Sequence, residues 1–456
     1  MCLITTCAPQ TPRSKKAAQV GYIVRNYFVR GWPDMNINAN SGRDRASAHV
    51  RLRPIPYPYR AMLAICSDLD GTPERSVYWK IMRFLNTTET TAMGHGAGLE
   101  VGNSIHFRAV PQRFSYWDTD EAGREMVRVL IRSGHVDCLH SFGERVHTRE
   151  EAERALNELA RHDCRLEVWV DHGGAATNFG SDIMQGHGDQ IGHPAYHADL
   201  TIEYGIKYVC YGRTTSITGQ DVPARLGGIF KWNHPIASGR TVLKEMAKRS
   251  LARAGNIKYA MHWTNEVLCP SVLRDGSQVY EFMRCNPHWG GVSSCDQGRN
   301  IGRVLTADML NRLVERGGSC VLYTHLGRVD DPDVPFNAEA VAAFQRLGEM
   351  FRSGSVLVTT TRRLLGYRRA VREIAFNSQW HQGILRIDVN TRTSENWVGE
   401  LHITDLSGLT FYVPDSRATY VTINGQRVGD LQRNARDHTG QPSVSLPWPL
   451  LEFPEI

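Results

Sequence analysis

The chain has 456 residues, 22% charged and 41% hydrophobic, and 53 basic against 47 acidic side chains give a formal net charge of +6. That composition is ordinary for a soluble protein and leaves room for two domains, or one large domain with appendages. The charge is mild and Lys/Arg runs are short (RSKK, YRRAVR), which argues against nucleic-acid binding. No stretch reaches the length of a transmembrane helix. The opening MCLITTCAPQTPRSKK has a short apolar part and its charges on the wrong side for a signal peptide, so a cytoplasmic protein is expected. The ten cysteines contain no C-x-x-C pair. Cys66, Cys138, Cys210 and Cys320 fall inside apparent strands, as small buried hydrophobes do, and Cys285 and Cys295 share a loop where reduced thiols are the simpler expectation.

Residues 1–57 are polar and rich in Arg, Asn and Pro, and read as a leader wrapping the first domain, with an edge strand over Gln19–Val29. AMLAICSDLDGT (61–72) is an apolar run closed by a turn signal, which predicts a buried strand. Side chains alternate along a strand, so Asp68 and Asp70 point the same way. Two carboxylates side by side repel unless a cation or a shared proton lies between them.

The pattern then alternates. Helices are predicted over Ser76–Leu85, Thr119–Ser133, Thr148–His162, Tyr196–Tyr204, Thr306–Arg316 and Asn337–Arg352. Strands are predicted over Gly98–Phe107, Val136–His140, Leu166–Val170, Lys207–Tyr211, Lys258–Trp263, Tyr280–Arg284, Ser319–Thr324 and Ser355–Thr360. Alternation of this kind is the signature of parallel β/α units. Seven or eight repeats fit a closed or nearly closed barrel over 58–372. The tail, 373–456, reads differently. ILRIDVN, VGELHITD, TFYVPD and ATYVTINGQRV alternate apolar and polar residues between tight turns, including Asn424-Gly425. They predict a C-terminal antiparallel β-sandwich.

Three strand ends carry histidine: His140-Ser141-Phe142-Gly143-Glu144, Asp171-His172-Gly173-Gly174 and Tyr323-Thr324-His325. In a parallel barrel they share one rim with Asp68 and Asp70. Imidazoles and carboxylates converging there suit Zn²⁺, Fe²⁺, Co²⁺ or Mn²⁺. Further polar rim candidates are Glu100, Asn103 and Ser104, and Arg284, Asn286, His288 and Trp289 in a Gly-rich loop, where Arg and Trp could anchor and stack a sugar. His193 and His197 are better explained by a helix N-terminus.

The order of these motifs resembles the polysaccharide deacetylases, carbohydrate esterases built on a NodB-type β/α barrel. The family's first motif is Asp-Asp-Gly, a catalytic base before a metal ligand. Here Asp70 precedes Gly71 at the metal position, Leu69 stands at the base position and Asp68 lies one residue earlier. The family's His-Ser/Thr-x-x-His appears as His140 to Glu144, with glutamate for the second histidine. Its Leu-x-His appears as Tyr323-Thr324-His325. Its Arg-x-Pro-Tyr motif is absent, and Asp171-His172-Gly173-Gly174 stands at about that place.

The resemblance covers about 60 to 370 and implies a metal-dependent N-deacetylase acting on a carbohydrate or nucleotide-sugar. A divalent transition metal, Zn²⁺ foremost, would be held by Asp70, His140 and Glu144. Asp68 or His172 would be the base and His325 the acid, with Glu100, Asn103, Arg284 and Trp289 around the substrate. Two alternatives remain. Asp68-Leu69-Asp70-Gly71-Thr72 also resembles the DxDGT of haloacid-dehalogenase-like phosphatases, although Asp330-Asp331 follows a histidine loop and not the apolar run that family uses. The substitutions at Leu69 and Glu144 also fit a barrel that binds glycan without cleaving it.

Overall fold

The structure, a computed structural model, describes residues 50–68, 71–393 and 396–456. The expected edge strand over Gln19–Val29, and with it Leu69 and Asp70, lies outside the described residues.

The strands in chain order are β1 (Arg51–Leu52), β2 (Ala61–Ser67), β3 (Thr90–Thr91), β4 (Gly94–His95), β5 (Asn103–Ile105), β6 (Val136–Leu139) and β7 (Val168–Val170). They continue with β8 (Tyr208–Cys210), β9 (Thr214–Thr215), β10 (Leu268–Val272), β11 (Gln278–Phe282), β12 (Arg284–Cys285), β13 (Ser319–Thr324) and β14 (Val356–Thr359). The fold is mixed α/β, with two central sheets. One has the order β14-β2-β13-β12-β9 and is parallel throughout. The other has the order β10-β11-β8-β7-β6-β5 and is parallel apart from the β10–β11 hairpin.

Every residue of β2 is buried, because both faces of the strand are covered. Its ladder with β13 runs from Ser319↔Met62 to Thr324↔Ser67, so the two strands end level with one another. The sheets are linked in two ways. β8 runs on into β9, and β11 into β12, so one strand pair bends from one sheet into the other. At the far side the Ser104 hydroxyl donates to the Ser67 carbonyl at 2.8 Å, tying β5 to the end of β2.

The connecting helices begin where side-chain caps place them. Asp120, Thr148, Thr306 and Asn337 each accept a backbone N–H three residues on, at the starts of Glu121–Arg132, Arg149–Arg161, Ala307–Arg316 and Ala338–Arg352. At Thr148 the Glu151 carboxylate reaches back as well and accepts from the His147 N–H, one residue ahead of the cap.

Two expected strands are helical turns instead, and one long helix has no counterpart in the sequence pattern. Lys258–Trp263 is not a strand but a helical turn, Ile257–Tyr259, running into the helix Ala260–Thr264. The Asn256 side chain caps it and Asn265, at φ 58°, stops it. The 19-residue helix Pro235–Arg253 was not expected at all, because its apolar residues do not lie on its buried side. VGELHITD forms the 3₁₀ turn Ile403–Leu406 in place of a strand.

The tail holds β15 (Ala375–His381), β16 (Ile384–Asn390), β17 (Thr410–Tyr412), β18 (Thr419–Ile423), β19 (Gln426–Arg427), β20 (Gln432–Asn434) and β21 (Ser443–Ser445). The sheet β15-β16-β18-β19 is not wholly antiparallel, since β16 and β18 run parallel. The sheet β1-β17-β21-β20 is antiparallel and recruits Arg51–Leu52 from ahead of β2. Asn424 and Gly425, at φ 49° and 84°, make the expected tight turn. Leu385, Ile387, Leu409 and Phe411 of the tail share one apolar core with Leu63, Val321 and Leu364. Among the described residues no helix is long and apolar enough to cross a membrane.

Candidate active site

Asp68 follows β2 directly, with its N–H on the Thr324 carbonyl at 2.8 Å, and its side chain is buried. A carboxylate there needs compensation. Arg284 of β12 supplies it, Nη1 donating to Oδ1 at 2.5 Å. Arg284 is itself buried and stands over the Tyr323 ring at 4.4 Å. Burial works against the guanidinium's charge, and Asp68 together with smaller effects of Cys210, Cys66 and Tyr323 outweighs it, holding its pKa well above the ordinary value.

Two histidines flank the same carboxylate. His140, after β6, brings Nδ1 to 3.7 Å from Asp68 Oδ1. His325, after β13, brings Nε2 to 3.9 Å from Oδ2. The other His325 nitrogen, Nδ1, lies 2.8 Å from Asp296 Oδ2, and its backbone N–H donates to the Asp296 carbonyl at 2.6 Å. The ring is thus fixed by a buried carboxylate on one side and faces Asp68 on the other.

A second group adjoins this one. His172, after β7, packs edge-on to His140 with ring centroids 4.8 Å apart, and its Nε2 lies 3.4 Å from Glu144 Oε1. His106, after β5, stands 6.3 Å from both rings. Four strand ends (β5, β6, β7, β13) therefore bring imidazoles around the end of β2.

The Asp171 carboxyl takes no part in that group. It accepts from Trp169 Nε1 and from the N–H groups of Phe179 and Gly180 at 2.7–2.9 Å, organising the turn behind His172. Burial pushes it up to about 6.

Of the residues singled out from sequence, Asp68, His140, His172, His325, Glu144 and Arg284 come together. Asp70 lies outside the described residues. Glu144 meets His172, not His140 as a paired second-motif ligand would. Arg284 meets Asp68 and holds that carboxylate at 2.5 Å.

The structure does not bring Glu100, Asn103 or Trp289 to the group. Glu100 is bonded to Thr359, Arg363 and the Leu451 N–H, and so ties the chain's end to β14 and its following helix. Asn103 caps its own neighbour Ser104 and touches Met82. Trp289 stacks on His234 at 3.7 Å and its carbonyl accepts from Thr241, so it fastens the helix Pro235–Arg253. His197 holds the start of the helix Ala198–Tyr204 through Thr201 and the Thr177 carbonyl, and burial brings it down to about 4.

Asp296 and His106 escaped sequence reading. Asp296 sits in SSCDQG of the Gly-rich loop already marked as a rim segment, and His106 closes the polar end of GLEVGNSIHF. Among the described residues no three His, Cys, Asp or Glu side chains form a ready metal-holding group. In kind, the donors around His140 and His172 fit a borderline transition metal, as imidazole with carboxylate does.

Comparison of the chain with protein-family models, with curated proteins and with solved structures gives no match.

Proposed function

We propose that the protein is a metal-dependent hydrolase that removes an acyl group, of the N-deacetylase type, from a carbohydrate or sugar-like substrate. One observation carries the reading: a buried carboxylate, Asp68, held by Arg284, faces an imidazole, His325, that is itself held by Asp296. A charge-compensated carboxylate and an oriented histidine at neighbouring strand ends are the base and acid that amide hydrolysis needs. The resemblance to polysaccharide deacetylases points the same way. On this reading the two central sheets act as one wall of a seven- to eight-stranded β/α barrel, and the tail sheets are its accessory sandwich.

Asp68 takes the proton from the attacking water. Arg284 fixes the carboxylate's rotamer and compensates its charge, so the lone pair points into the space shared with His325. His325 gives its Nε2 proton to the departing amine nitrogen, while Asp296 on Nδ1 sets the tautomer and stabilises the charged ring. Asp70 and His140, with Glu144 or His172, would hold a divalent metal, whose contribution would be Lewis-acid polarisation of the acyl carbonyl and a lowered pKa of bound water. The phosphatase alternative would make Asp68 a nucleophile, a role that its ion pair with Arg284 opposes.

The test is metal content beside activity. Purified wild type should carry a stoichiometric transition metal that is lost in Asp70→Ala and His140→Ala, and should release acetate from N-acetylated sugars. Tight metal absent from the wild type, with Mg²⁺-dependent phosphatase activity lost in Asp68→Asn, would overturn the proposal.

A further inference from the structure

The helix Pro235–Arg253 is built inside out. Its buried side is polar: Ser238, Thr241 and Glu245. Glu245 accepts from Thr215 Oγ1, Ser216 N–H and Lys248 Nζ at 2.8–3.2 Å, and Thr241 donates to the Trp289 carbonyl at 2.9 Å. The helix is therefore anchored through hydrogen bonds to the end of β9 and to the loop after Arg284. Its outward side is apolar. Ile236, Leu243, Ala247 and Leu251 recur at helical spacing and form one stripe, with Ile236 87% and Leu243 66% exposed. Trp232 ahead of the helix is 87% exposed, Ile257 beyond it 74%, and Trp263 is also exposed. A surface helix in a globular protein normally turns such a stripe to the core, and a contiguous exposed apolar patch marks a contact surface.

The charge on the same segment selects the contact. Residues 225–263 carry eight Lys and Arg against one carboxylate, Glu245, which is buried and already paired with Lys248. Arg240 and Lys244 rise beside the apolar stripe, and Arg249 and Arg253 lie over the Trp263 ring at 5.5 Å. A second copy of this chain would set like charge against like charge across a two-fold interface. An apolar ridge flanked by bases and bracketed by tryptophans is the composition of a helix that lies in the headgroup layer of an anionic membrane. We infer that this face docks the protein on an anionic lipid bilayer, lying on the membrane and not through it. The inference does not depend on the chemistry proposed for Asp68.

The experiment is sedimentation of the full chain with vesicles of phosphatidylcholine alone, and with vesicles in which roughly one lipid in four is phosphatidylglycerol. The expected result is binding to the anionic vesicles only, reversed by high salt. Ile236→Asp with Leu243→Asp should abolish it. Arg240→Gln with Lys244→Gln should weaken it by roughly fivefold per residue. All four side chains are solvent-facing, so circular dichroism and the melting midpoint should match the wild type. In the unaltered protein, tryptophan emission should shift to the blue on anionic vesicles, and Trp232→Phe should remove most of that shift. Wild type left in the supernatant, or an Ile236→Asp/Leu243→Asp variant that sediments like wild type, overturns the inference. So does a lipid-free dimer that the same double substitution dissociates.

Discussion

Replacing Arg284 by methionine tests the centre of the site without disturbing its shape greatly. The Arg284 and Asp68 side chains are 1% and 3% exposed and meet at 2.5 Å. Removing the guanidinium takes from a buried carboxylate the cation at 2.5 Å and leaves the imidazoles of His140 and His325 at 3.7 and 3.9 Å. Breaking a buried ion pair by removing one partner costs about 3–5 kcal/mol. Loss of the stack on Tyr323 adds about 0.5–2 kcal/mol. Asp68→Asn strands the guanidinium instead and should cost a similar amount. The double variant Arg284→Met/Asp68→Asn strands neither charge, so its cost should fall short of the sum by about 2 kcal/mol or more. Guanidinium denaturation of the four proteins at one pH gives this coupling. Costs that add to within about 0.5 kcal/mol would mean that the two side chains do not act as a unit, and would refute the reasoning.

Other consequences can be measured independently. Asp296→Asn should keep the fold, read from the melting midpoint, but lower kcat by about 10²–10⁴-fold in the deacetylation assay, because His325 loses the carboxylate that orients it. Burial pushes the Asp137 carboxyl up to about 7, so the folded state holds a proton that the unfolded chain, near the ordinary 3.8, gives up first. This group's contribution to stability is therefore lost as pH rises from about 4 to 7. Asp137→Asn should flatten the fall of the denaturation midpoint across that window, and an unchanged slope would remove Asp137 from the account. Gly327 follows His325 at two residues' distance, and a Cβ there would run into Thr72, next to the Asp68 turn. Gly327→Ala should cost about 1–3 kcal/mol by overpacking, read from the melting midpoint.

Much of the frame was legible from local pattern. The alternation of apolar runs and amphipathic segments gave strands and helices at nearly the right places, since each obeys a short period: AMLAICS is buried on both faces, and the helices expected to open near Thr119, Thr148, Thr306 and Asn337 open there with side-chain caps. The helix Pro235–Arg253 escaped because its period is real but inverted, with polar residues inward. Lys258–Trp263 reads as a strand in sequence, but a short alternating run fits a helical turn equally well once Asn256 caps it.

The candidate site divides along the same line. Asp68, His140, His172 and His325 could be read as neighbours from sequence, because parallel strands end at one rim and each residue sits just past such an end. Their partners could not. Arg284 reaches Asp68 across 216 residues of chain, and Asp296 reaches His325 from a loop with no period of its own. Glu144 turns to His172, and Glu100 is consumed at the chain's end by Arg363 and Leu451. The sequence by itself placed Asp68, His140, His172 and His325 just past the ends of strands, because each closes a short apolar run. Only the tertiary structure decided which opposite charge each buried group meets, because that choice follows from desolvation and is settled by contacts between segments far apart in the chain.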